Sequence, residues 1–113
     1  MSLTDQQRSI CAVGEARFDE IIHAPVRLRI CGLLRPVDHL DFAVLRDTLS
    51  VSDATLSKHL KILATSGYVT SRKAASAGRG DARRITWLAL TSTGRSAFDA
   101  HVRALQEIAA PSV

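Results

Sequence analysis

No run of about 20 apolar residues, the length needed to cross a bilayer, occurs anywhere in this 113-residue chain. The opening residues, M-S-L-T-D-Q-Q-R-S-I, contain no basic segment followed by an apolar one, so no secretion leader is read there and a soluble, cytoplasmic protein is expected. Cysteine is scarce. Cys11 and Cys31 stand far apart with no C-x-x-C spacing and no histidine at ligand distance, which argues against a disulfide scaffold and against a zinc site. The sets that catalysis needs are missing as well. There is no phosphate-cradling loop and no activated nucleophile, and Asp38, His39 and Asp41 are neighbours in sequence only. Neither an enzyme nor a cofactor is therefore expected.

What the chain has is enough apolar material for one core, 46% of its residues, and a lopsided distribution of charge. Between Ala54 and Arg95 eight basic residues, Lys58, Lys61, Arg72, Lys73, Arg79, Arg83, Arg84 and Arg95, face Asp81 alone, a net +7. The remaining seven basic and ten acidic residues leave the rest of the chain at −3. A basic half joined to a slightly acidic half points to one face for a polyanion; a solvated surface with chance clustering is the plainer alternative.

The stretch from Ser50 to Val69 organises the rest. Leu56, Leu60 and Leu63 recur at the spacing that lines one helix face, while Thr55, Lys58, Lys61 and Thr65 fall on the other. Ser52 is placed to cap the helix at its start, and Gly67 to end it in the left-handed conformation. The outer face carries short hydroxyls and lysines, a composition suited to phosphates and base edges.

Upstream, residues 1–14 read as an N-terminal arm. A first helix is expected from Glu15 to His23 with Phe18, Ile21 and Ile22 inward, and a second from Pro25 with Val26, Ile30, Leu33 and Leu34 inward and Arg27 and Arg29 exposed. Cys31 reads as a small core residue. Val37–Leu40 is expected to form an edge strand, and Asp41 to cap a third helix buried through Phe42, Leu45 and Leu49. Two short helices joined by Ser50-Val51-Ser52 are what a helix-turn-helix requires, though an ordinary helical hairpin would look similar. Downstream, Tyr68–Arg72 and Arg84–Leu90 have strand character and enclose a glycine-containing, arginine-rich tip from Lys73 to Arg83. The predicted fold is mainly α with a small β-hairpin wing (α+β), a winged helix-turn-helix over residues 15–95. Trp87 is expected to pack beneath the wing rather than to hold a ligand.

Thr91 is positioned to cap a last helix. From Ser96 to Ala110 the residues Phe98, Val102, Leu105 and Ala109, with His101 and Ile108, form a stripe with little core left to cover. Residues 96–113 are therefore expected to pair with a second copy, making Phe98, His101, Val102, Leu105 and Ile108 the dimer interface.

In order along the chain, P-V-R-L-R-I at Pro25, D-F-A-V-L-R at Asp41, T-L-S-K-H-L at Thr55, S-G-Y-V at Ser66 and L-T-S-T-G-R at Leu90 resemble small bacterial winged-helix transcriptional regulators close to the MarR and ArsR groups. The likeness runs from about Phe18 to Leu105. It implies a dimeric DNA-binding regulator with the helix after Ser52 in the major groove. Thr55, Ser57 and Lys58 would reach bases or phosphates, His59 would touch backbone from the helix flank, and Arg79 and Arg83 would contact DNA from the wing. With Lys61, Lys73 and Arg84 these make up the expected DNA-binding set on double-stranded DNA, with a winged-helix protein-interaction module as the alternative. Two departures bear on sensing. The cysteine pair of ArsR-type metal sensors is replaced by Asp41, Phe42 and Val44, and Asp99-Ala100-His101 matches only half of a second zinc motif, so no metal is expected. These residues leave open whether the protein binds a small effector.

Overall fold

A computed structural model of the chain describes residues 15–75 and 84–110. The arm expected over residues 1–14, and Arg79 and Arg83 of the wing tip, lie outside the described residues.

The first helix is shorter than its apolar spacing suggests. Helix α1 spans Glu20–His23 because the Asp19 carboxylate accepts from the amides of Ile21 (2.8 Å) and Ile22 (3.1 Å) and so caps the helix there. Residues ahead of the cap run along the last helix instead: the Arg17 amide donates to the Ala100 carbonyl at 3.0 Å, and the Asp19 amide donates to His101 Nδ1 at 2.9 Å. Phe18 consequently leaves the core face. It is 42% exposed and lies against the rings of His23 and His101, with centroids 4.7 and 4.8 Å away.

Helix α2, Pro25–Leu34, begins at its proline and buries Ile30, Cys31 and Leu34. Burial, with Asp19 adding to it, pushes the Cys31 thiol up to about 12, the condition of an inert packing residue. Beyond α2 the backbone is gripped by Arg95, whose guanidinium donates to the carbonyls of Arg35 (2.9 Å) and Val37 (3.1 Å). Strand β1, Leu40–Asp41, is one pair of residues on the sheet edge, opposite Leu88 and Trp87.

Asp41 also caps α3, Phe42–Leu49, accepting from the Ala43 amide at 2.8 Å. That helix closes on Ser50 in the left-handed conformation (φ 57°), which turns the chain sharply into α4, Asp53–Thr65, capped by Ser52 through the Thr55 amide at 3.1 Å. Strands β2, Val69–Ala75, and β3, Arg84–Leu90, pair antiparallel from Val69–Leu90 out to Ala75–Arg84, and the sheet order is β1-β3-β2. β2 runs three residues further than its β-branched stretch predicts, since cross-strand bonds to β3 satisfy its backbone where its side chains have left the core. Only Val69 of β2 is buried, against Leu88 and Leu90 of β3. Trp87 sits half-buried on the opposite face, its ring edge-to-face with His39 at 4.7 Å.

Helix α5, Ser92–Ala109, is capped by Thr91, whose oxygen accepts from the Gly94 amide at 2.8 Å while its hydroxyl donates to the Gly67 carbonyl at 2.7 Å. The core is the layer where α1 to α4 meet the sheet: Ile22, Ile30, Leu34, Leu45, Leu56, Leu63 and Leu88 are its largest fully buried apolar side chains. Asp19 ties this layer to its surroundings, since Tyr68 donates its hydroxyl to the second carboxylate oxygen at 2.5 Å. Burial and that bond push the Tyr68 phenol up to about 12.

Candidate nucleic-acid interface

With Leu56, Leu60 and Leu63 pinned in the core, the opposite face of α4 is presented outward by the short turn from α3. Ser57, Lys58 and Lys61 are exposed there, and no described hydrogen bond or ion pair engages them. Thr55 is half-buried and its hydroxyl oxygen accepts from Ser52 at 3.0 Å, so it belongs partly to the cap that starts the helix. Asp53, the acid in the first turn of this helix, is paired with Arg46 at 2.9 Å, and Arg46 also holds Asp47 at 2.9 Å. These carboxylates hold the Arg46 guanidinium above its ordinary range, and in return Arg46 offsets the negative charge beside the outward face.

The hairpin lies beside α4. Arg72 and Lys73 on β2 and Arg84 at the start of β3 are exposed, and Lys73 stands opposite Thr86 in the register. Between α4 and the hairpin runs a groove of about 410 Å³, with Ser57, Lys61, Lys73 and Thr86 around it and Phe42, Leu60 and Leu88 at its floor. Helix and wing thus share one basic surface. Arg72 belongs to the basic half of the sequence, and its position on a strand extending past the core is what exposes it.

His59 has a different setting from its helical neighbours. It is half-buried at the flank of α4, with Nδ1 3.0 Å from a guanidinium nitrogen of Arg27, whose Nε donates to the Ile21 carbonyl at 2.6 Å. Burial first, then the charges of Arg27 and Lys58, lower its pKa. Arg27 is therefore not the free surface residue that α2's periodicity predicts; it is half-buried and bonded to α1 and α4. Arg95 likewise leaves the basic surface to hold the backbone after α2.

On α5 the expected interface residues part company. Ile108 is 69% exposed, Val102 and Leu105 are half-buried, and Phe98 is half-buried with its ring over Gly32 of α2. His101 does not lie on the outer stripe. It is fully buried inside its own chain, one turn from both Ala97 and Ala104, with Nδ1 accepting from Asp19 and Nε2 3.2 Å from His23 Nδ1. Burial and the neighbouring His23 lower its pKa against a smaller opposing effect of Asp19. Asp99 pairs with Arg35 through two bonds of 2.9 and 3.0 Å, which holds its carboxyl below the usual range. Among the described residues no group of three or more His, Cys, Asp or Glu is arranged to hold a metal ion, and no helix is long and apolar enough to cross a membrane.

Comparison with known proteins agrees with the winged-helix fold. A family model described as a winged helix DNA-binding domain matches residues 26–109. The uncharacterized protein MJ0432 of Methanocaldococcus jannaschii is 31% identical over 83 residues, spanning 74% of this chain and 86% of that protein. Among solved structures, a transcriptional regulator homologue from Pyrococcus horikoshii OT3 shares the fold with a TM-score of 0.72 at 23% identity, covering 80% of this chain and 85% of the other. The transcriptional regulator HlyU from Vibrio vulnificus CMCP6 aligns with a TM-score of 0.59 at 25% identity over 96% and 99% of the two chains. The chain belongs to the winged helix DNA-binding domain family.

Proposed function

We propose that this regulator acts as a homodimer that recognises an inverted repeat in double-stranded DNA. The observation that carries the reading is the shared basic surface of α4 and the hairpin, with the acid at its edge, Asp53, neutralised by Arg46. In this arrangement α4 enters the major groove, Ser57 reads base edges with a smaller share for Thr55, and Lys58 and Lys61 bind phosphates. Lys73 and Arg84, with Arg79 and Arg83 from the wing tip, contact the backbone or minor groove beside it. The exposed Ile108 and half-exposed Leu105 and Val102 support pairing through α5, with Phe98 as a partly covered neighbour. Two copies related by a two-fold axis would set their recognition helices about 34 Å apart, one turn of DNA.

Selection from random duplexes at near-physiological salt tests both parts. Enrichment of an inverted repeat is the expected result. Salt-sensitive binding with no enriched sequence would overturn specific recognition and favour an acidic protein partner for the same face.

A further inference from the structure

Among the donors on the α4 side of the molecule, His59 is the one whose proton position the surroundings dictate. An arginine side chain can only donate hydrogen bonds, so His59 Nδ1, 3.0 Å from the Arg27 guanidinium, has to be the acceptor. A neutral imidazole with Nδ1 accepting carries its hydrogen on Nε2. Protonating the ring would set two donors against each other. The charges that bear on it, Arg27 from α2 and Lys58 from its own helix, oppose protonation too, while α1 contributes the Ile21 carbonyl that anchors Arg27. Every buried side-chain nitrogen or oxygen among the described residues has a partner, and Nε2 takes part in none of the described hydrogen bonds. Nε2 is therefore at the surface, next along the helix from Lys58.

We infer that Arg27 is a positioning residue for DNA binding: it holds His59 as a neutral ring whose Nε2–H donates to a backbone phosphate flanking the groove that α4 enters. The inference rests on the DNA-binding reading, in which His59 touches the backbone, and adds to it the residue that positions the ring and the atom that makes the contact. Arg27 is fixed at two points, on α1 and on α4, so the ring it orients is held before DNA arrives. A neutral donor supplies a hydrogen bond without displacing a counterion, which distinguishes it from the lysines beside it.

The test uses the full chain in two measurements. Nitrogen NMR of the imidazoles should show His59 as the Nε2–H tautomer, titrating below the ordinary range, and in Arg27→Met the tautomer should mix and the titration move upward. Binding is then measured on the selected duplex and on a scrambled one. His59→Phe should weaken both by about tenfold with the salt slope unchanged, and His59→Gln, which keeps an N–H at that reach, should recover most of the loss. Arg27→Met should bind weakly at pH 8 and regain affinity towards pH 6 as its freed histidine protonates, relative to a flatter wild-type profile. An Nδ1–H tautomer, a His59 titration indifferent to Arg27→Met, or wild-type affinity in His59→Phe would overturn the inference. A wild-type chain that holds the Nε2–H tautomer yet binds no duplex would overturn it by a separate route, through the DNA reading itself. The His59 variants alter a half-exposed helix flank and keep the binding test usable if Arg27→Met unfolds.

Discussion

Replacing Gly94 with alanine should destabilise this domain on the scale of a core truncation, although alanine favours a helix by about 1 kcal/mol over glycine in general. A Cβ built at Gly94 meets the Tyr68 carbonyl oxygen at 2.1 Å, its carbon at 2.9 Å and the Tyr68 Cα at 3.0 Å. All three are backbone atoms, so no side chain can swing aside. Relief requires α5 and the Gly67–Tyr68 turn to separate by about 1 Å, and overpacking of that kind costs roughly 1–3 kcal/mol. The same gap is bridged by the Thr91 amide on the Tyr68 carbonyl (2.9 Å) and the Thr91 hydroxyl on the Gly67 carbonyl (2.7 Å). Losing one or both adds about 1 kcal/mol each. After the helix-propensity gain the net loss is about 1–4 kcal/mol, a fall in Tm of roughly 5–25 °C for a domain of this size. Urea unfolding followed by circular dichroism measures it. Gly32→Ala is the internal control: its Cβ would meet only the Phe98 ring at 3.8 Å, an ordinary contact in mid-helix, so it should stabilise by about 0.5–1 kcal/mol. Gly94→Ala at or above wild-type stability would refute the close packing of α5 on the turn.

Gly67→Ala meets no atom within 4 Å, but its φ of 81° strains an L side chain, so a loss of about 1–2 kcal/mol is expected from the same unfolding experiment. Stability should also depend on acid. The folded state lowers the pKa of His101, so the unfolded chain binds protons more readily; stability is full above about pH 6.5 and declines as pH falls below it, by up to about 1.4 kcal/mol per pH unit for one proton. His101→Leu should flatten that decline in a pH series of denaturation curves while costing about 1–3 kcal/mol at pH 7.5, because the Asp19 amide loses its acceptor. Lys61→Ala should reduce the slope of log affinity against log salt by about 0.9 on any duplex, read by fluorescence anisotropy. Ile108→Glu should shift sedimentation towards the monomer with the Tm of the domain nearly unchanged, since that side chain is 69% exposed within one chain.

Much of the frame is local, and therefore legible from the residues alone. Asp41, Ser52 and Thr91 cap α3, α4 and α5 because a short oxygen-bearing side chain ahead of an apolar-periodic stretch meets orphan amides whatever lies further off. The leucine spacing from Leu56 to Leu63 orients α4, and with it the outward placement of Ser57, Lys58 and Lys61. Strand β3 begins and ends at Arg84 and Leu90 as its β-branched and aromatic content predicts. The family likeness read from the ordered motifs agrees with the matched winged helix domain.

The fates of the long polar side chains were settled by contacts between distant parts of the chain. Asp19 shortens α1 because Tyr68 and His101, 49 and 82 residues away, complete the site that makes it a cap. Arg95 is withdrawn from the basic face by two carbonyls beyond α2, and Arg27 from solvent by Ile21 and His59. His101, which helical spacing puts in an outer stripe, is turned inward by the segment that docks along α5. Apolar periodicity reports which face of a helix is buried because burial acts on every residue of that face alike. A charged or imidazole side chain is placed by one partner at hydrogen-bond distance, and that partner is brought there by the fold.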